Sequence, residues 1–93
     1  DKVPLAPYAT YGTQALADNV VGSIGDYNAV LLANHGLVAV GPDLTFALNV
    51  AREIEFVAQV TYQARAIGDP VVLPPEEMAV VIDKFKDYGP RSK

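Results

Sequence analysis

The sequence predicts an α/β fold, and three observations carry that expectation. Two short aliphatic runs, residues 29–33 and 37–40, meet at Asn34-His35-Gly36, as two buried strands joined by a tight turn do. Longer stretches on both sides place their apolar residues at helical spacing. Glycines and prolines punctuate the joints between these segments.

Taken in order, residues 2–8 (Lys-Val-Pro-Leu-Ala-Pro-Tyr) carry two prolines among apolar residues. Proline cannot donate to a strand ladder, so this segment is an edge strand or an extended lead-in. Thr10 and Thr13 are candidate caps for a helix from about Gln14 to Ile24, with Leu16, Val20, Val21 and Ile24 on its apolar face and Gly25 as its stop. The strands flanking His35 form a hairpin. Gly41-Pro42-Asp43 breaks it, and Asp43 suits the N-cap of the next helix.

That helix spans residues 44–67, about 36 Å if straight. Ala47, Val50, Ala51, Ile54, Val57, Ala58, Thr61 and Ala64 make one broad face, widened by Phe46, Phe56 and Val60. A stripe so wide is expected to be covered by a sheet on one side and by another helix or subunit on the other. Gly68 ends the helix, and Val71-Val72-Leu73 extends away. Pro74-Pro75-Glu76-Glu77 then opens a last helix to about Lys86, with acidic residues suited to its N-terminus. Its stripe is Met78, Val81, Ile82 and Phe85.

The composition bounds the function. The chain has 93 residues, 51% of them hydrophobic, and a formal net charge of -4. One small domain is the expectation, with more apolar surface than so short a chain can cover by itself. An acidic chain without a basic stripe argues against nucleic acid or an anionic membrane as partner. There is no cysteine, which removes disulfides and thiolate metal sites. No apolar run approaches a membrane span, and a cytoplasmic location is expected. Asp1 is not an initiator Met, and the expectation is a piece of a longer polypeptide.

His35 is the only histidine. A lone histidine in a turn is by default structural or solvated. Its seat between two apolar strands, its neighbours Asn34 and Gly36, and the absence of any other histidine strengthen the case for a ligand role beside that default. A catalytic zinc wants three protein ligands and an open position, so two more ligands would have to come from other sequence. The carboxylates form no acid/base pair, and the chain lacks phosphate-loop, dinucleotide and serine-hydrolase motifs. Tyr8, Tyr11 and Tyr88 read first as packing residues, although a phenol can also donate a proton.

Ala6-Pro7-Tyr8-Ala9-Thr10-Tyr11-Gly12-Thr13, then Leu31-Leu32-Ala33-Asn34-His35-Gly36, residues 47–58, Asp69-Pro70-Val71 and Lys84-Phe85-Lys86-Asp87-Tyr88-Gly89 together resemble the class II aldolase/adducin-head family, over its C-terminal part. The resemblance runs over nearly the whole chain in the right order. It implies the C-terminal segment of a three-layer αβα domain with a central, mostly antiparallel sheet.

The resemblance also implies a zinc-dependent lyase that cleaves a ketose 1-phosphate, such as L-fuculose 1-phosphate, to dihydroxyacetone phosphate and L-lactaldehyde. His35 matches the third of three zinc-binding histidines. Tyr88 matches a C-terminal tyrosine that donates a proton in a neighbouring subunit's site, and Tyr11 and Phe85 match aromatic residues of the aldehyde pocket. The implied assembly is a homotetramer with sites between subunits.

The other two histidines, the acid/base glutamate and the phosphate-binding loop belong to the family's N-terminal half, so this chain alone is expected to be inactive. Sister activities on the same scaffold are the alternatives, a pentulose-phosphate 4-epimerase or a dehydratase of a sulfur-containing ketose phosphate. An adducin-like assembly module without metal is the third.

Overall fold

A computed structural model describes residues 2–85 and orders them β1 (Leu5–Ala6), α1 (Gln14–Ile24), β2 (Ala29–Leu32), β3 (Gly36–Ala39), α2 (Leu44–Ile67) and α3 (Pro75–Phe85). α1, α2 and the two hairpin strands lie within a residue of their expected bounds, and α3 is present up to Phe85, the last of the described residues. The segment expected to be an edge strand or lead-in pairs only at Leu5 and Ala6, between Pro4 and Pro7.

The three strands form one sheet in the order β1-β2-β3. The hairpin is as expected, with Ala29 opposite Ala39 and Leu32 opposite Gly36 in antiparallel register. The β1–β2 pairing is parallel, Leu5 with Leu31 and Ala6 with Leu32. The described sheet thus has four antiparallel residue pairs and two parallel ones; parallel neighbours need a long connection, and α1 supplies it.

Local chemistry sets the helix ends. Of the two threonines, Thr13 is the cap of α1: its Oγ1 accepts from the Leu16 N–H at 3.2 Å and donates to the Thr10 carbonyl at 2.6 Å. Asp43 caps α2 as expected, accepting from the Phe46 N–H at 2.8 Å. This capping turn swings the Phe46 ring over Gly41. A Cβ built at Gly41 would land on that ring, so the β3–α2 corner closes only on a residue without a side chain.

The core is small. Ala6 and Val30 are fully buried and Ala29 nearly so. α1 packs on β1 and β2, and α2 packs on β3. On α1 the half-buried positions are Leu16, Asn19, Val20, Ser23 and Ile24, whereas Val21 is 74% exposed. The α1 stripe is thus narrower than expected and includes a polar residue, Asn19.

On α2, Ala47, Val50, Ala51, Ile54 and Ala64 are half-buried, while Val57, Ala58 and Thr61 are exposed. The wide stripe is present, and among the described residues its sheet side is covered by β3. An open apolar groove of about 460 Å³ remains, lined by Val3, Leu31, Ile54, Val57 and Ala58 with Lys2 and Glu53 at its rim. On α3, Met78 and Val81 are half-buried, and Ile82 and Phe85 are exposed.

Two glycine substitutions separate close packing from helix propensity. Gly41→Ala is expected to lower stability by about 1–3 kcal/mol, because the Phe46 ring must move. Gly22→Ala, in α1 with open space beside it, is expected to raise stability by about 0.5–1 kcal/mol. Denaturant midpoints of the full polypeptide check both signs.

Candidate functional site

The site forms at the open end of β2. The His35 N–H donates to the Leu32 carbonyl at 3.0 Å, closing a turn over residues 32–35. Asn34, third in that turn, has φ 68, and Gly36 follows with φ 151. A left-handed third residue is the type II arrangement, which asparagine tolerates better than any residue but glycine. The Asn34-His35-Gly36 sequence is thus what lets the chain reverse while the His35 side chain stands out from the strand end.

The imidazole is held on two sides. Its ring stacks on Tyr8, with centroids 5.2 Å apart and planes 19° from parallel. Its Nε2 lies 2.8 Å from the Ala9 carbonyl oxygen. A carbonyl can only accept, so Nε2 carries the proton and donates. Nδ1 is left as the second ring nitrogen.

This contact continues the parallel pairing. Leu5 with Leu31 and Ala6 with Leu32 share the 26-residue offset that also separates Ala9 from His35. The segment beneath the histidine is itself tied down. The Ala33 N–H donates to the Ala6 carbonyl at 3.2 Å, and Asn19 Nδ2 on α1 donates to the Pro7 carbonyl at 3.1 Å.

The residues expected to act here are placed unequally. His35 stands at the strand end, and the ring against it belongs to Tyr8. Tyr11 is 80% exposed in the turn before α1 and makes no ring contact with His35. Phe85 is the last residue of α3, a helix without extensive packing on the sheet. Tyr88, the expected proton donor, lies outside the described residues.

Sequence reasoning did not bring Ala9 or Asn19 to this site, and it read Tyr8 first as a packing residue without pairing it with His35. Tyr8 and Ala9 would have followed from the β1–β2 register. Asn19 carries one signal, an amide among the inward positions of an apolar helix stripe.

No three histidine, cysteine, aspartate or glutamate side chains come together among the described residues as a metal site would require. One donor of the right kind is present. Ligating histidines usually give their other ring N–H to a carbonyl or carboxylate, and His35 makes that bond to Ala9. The chemistry of His35 suits a single metal ligand, and the described residues supply no further ligands beside it.

The sequence profile of the Class II Aldolase and Adducin N-terminal domain matches residues 1–62, and the chain belongs to that family. It is 49% identical over 87 residues to a 5-deoxy-D-ribulose 1-phosphate aldolase of Bacillus thuringiensis serovar kurstaki, covering 94% of this chain and 41% of that protein. It is 47% identical over 92 residues to the L-fuculose phosphate aldolase of Escherichia coli K12, covering 98% and 43%. A solved L-fuculose 1-phosphate aldolase superposes with a TM-score of 0.84 at 46% identity, over 90% of this chain and 40% of the other. The chain therefore spans less than half the length of the relatives it matches.

The Asn34 turn gives a direct test. Asn34→Gly is expected to stay within about 0.5 kcal/mol of the parent, and Asn34→Val to lose about 1–2 kcal/mol, the cost of a left-handed conformation for an ordinary residue. Denaturant unfolding of the two variants reads the difference.

Proposed function

We propose that this chain is the C-terminal segment of a three-layer αβα class II aldolase domain, and that the full polypeptide cleaves a ketose 1-phosphate by retro-aldol chemistry. The observation that carries the reading is the chain's sole histidine, fixed at a strand end with its second nitrogen available, in a chain that matches named sugar-phosphate aldolases over nearly all its length.

The substrate class is a ketose 1-phosphate ending in a methyl group. L-fuculose 1-phosphate and 5-deoxyribulose 1-phosphate share carbons 1–3 and the bond that breaks, between carbons 3 and 4. Both release dihydroxyacetone phosphate, and they differ in the aldehyde, L-lactaldehyde or acetaldehyde. The relatives named for each substrate support a pocket whose variable part faces the aldehyde.

His35 would hold zinc together with two histidines from sequence outside this chain. Zinc bound there supplies Lewis-acid polarisation of the substrate carbonyl, without a Schiff base. Tyr88 exchanges the proton at the aldehyde oxygen, giving it in condensation and taking it in cleavage, in the site of a neighbouring subunit. Tyr11 and Phe85 line the aldehyde pocket, which suits their exposure among the described residues.

A homotetramer with sites between subunits would cover apolar surface that α2 leaves open. No helix among the described residues is long and apolar enough to cross a membrane, in keeping with a cytoplasmic enzyme.

The test uses the full polypeptide with its metal. His35→Ala is expected to lose zinc and cleavage of both ketose 1-phosphates together. Tyr88→Phe should keep zinc and lose about 10²–10⁴-fold in kcat, the usual range for a general acid–base group. Zinc content by mass spectrometry and coupled detection of dihydroxyacetone phosphate read the two effects. Full zinc occupancy in His35→Ala would overturn the reading.

A further inference from the structure

We propose that Asn19 is a positioning residue whose amide fixes the loop of residues 7–13 against α1, sets where Tyr11 stands, and so tunes which aldehyde the site accepts. The specificity half rests on the aldolase reading above, which assigns Tyr11 to the aldehyde pocket; the holding of the loop does not.

Besides the His35 contact at Ala9, three hydrogen bonds hold this loop by its carbonyls. The Ala33 N–H donates to the Ala6 carbonyl at 3.2 Å and ties the root of the loop to β2. Asn19 Nδ2 donates to the Pro7 carbonyl at 3.1 Å, across 12 residues of chain. Thr13 Oγ1, the cap of α1, donates to the Thr10 carbonyl at 2.6 Å. Two of the three donors therefore belong to the start of α1. Tyr11 follows Thr10 directly and is 80% exposed, so its backbone places the ring and packing does not.

Asparagine suits this position only as a hydrogen-bonding group. It stands inside a helix, where its propensity is low, and on the half-buried stripe of Leu16, Val20 and Ile24. A residue that breaks both local rules is expected where it serves a site. The bond is not needed to satisfy a buried group, since Pro7 is exposed and water can take its carbonyl. What the amide adds is position. Leucine at 19 would extend the apolar stripe and leave the loop free to shift along α1.

Acetaldehyde and L-lactaldehyde join the same dihydroxyacetone phosphate and differ by one hydroxyl-bearing carbon. A displaced Tyr11 therefore changes the preference between them. Loss of metal or of folded enzyme lowers both alike.

The experiment uses the zinc-loaded full polypeptide labelled with 3-fluorotyrosine, with Asn19→Leu and Asn19→Asp, two variants of opposite polarity that both lack the N–H donor. The ¹⁹F signal of Tyr11 is assigned by its loss in Tyr11→Phe, and Tyr62 on α2 is the control. Both variants are expected to move or broaden the Tyr11 signal, leave Tyr62 in place and keep the parent's zinc content. The ratio of kcat/KM for condensation with the two aldehydes should change about 10-fold, the scale on which a pocket discriminates one carbon. Asn19→Leu should unfold at or above the parent's denaturant midpoint, which separates the effect from folding and keeps the test available if Asn19→Asp does not fold.

An unmoved Tyr11 signal in Asn19→Leu overturns the proposal. If the parent accepts both aldehydes and Asn19→Leu keeps its ratio, the proposal fails and the aldolase reading stands. If the parent joins neither aldehyde to dihydroxyacetone phosphate, the aldolase reading fails and takes the specificity claim with it.

Discussion

The parallel pairing of β1 with β2 is the constraint on which the site depends. It is only two residue pairs long, yet it decides which backbone atoms lie beside the end of β2. The 26-residue offset carries past the last strand residue to the Ala9 carbonyl and the His35 ring. A slip of one residue would put a different peptide opposite the histidine and turn the alternate side chains of β1 to the other face. Because two pairs are a weak ladder by themselves, the register needs help from α1. Asn19 on the Pro7 carbonyl and the packing of α1 on both strands supply it.

Much of the fold was legible because its signals are local. Thr13, Asp43, Gly25 and Gly68 mark helix ends through side-chain or backbone chemistry within a few residues, and the structure places the ends of α1 and α2 there. The hairpin was equally readable, since Asn34 and Gly36 announce a left-handed turn between two aliphatic runs. The direction of β1 was not legible. A two-residue strand between prolines has no pattern of its own, and its partner lies 26 residues away.

The same divide runs through the site. His35 stood out as a solitary imidazole at a strand end, but its neighbours are set by pairing and crossover geometry. Tyr8 and Tyr11 look alike in sequence, three residues apart on either side of a turn. Only the register tells that Tyr8 meets the ring. On α2 the hydrophobic stripe identified the helix correctly, and Val57, Ala58 and Thr61 on it meet no neighbour among the described residues. Periodicity reports which face wants burial; it does not report what provides it.

The two borders of the sheet also differ in kind. β1 is two residues long and bracketed by Pro4 and Pro7, so it offers almost no N–H groups on which another strand could template. β3 runs from Gly36 to Ala39 without proline or charge, and among the described residues only its β2 side is paired. Among the described residues, the strand-pairing groups left open therefore lie along Leu37 and Val38, away from the border that carries Tyr8 and Ala9 toward the histidine.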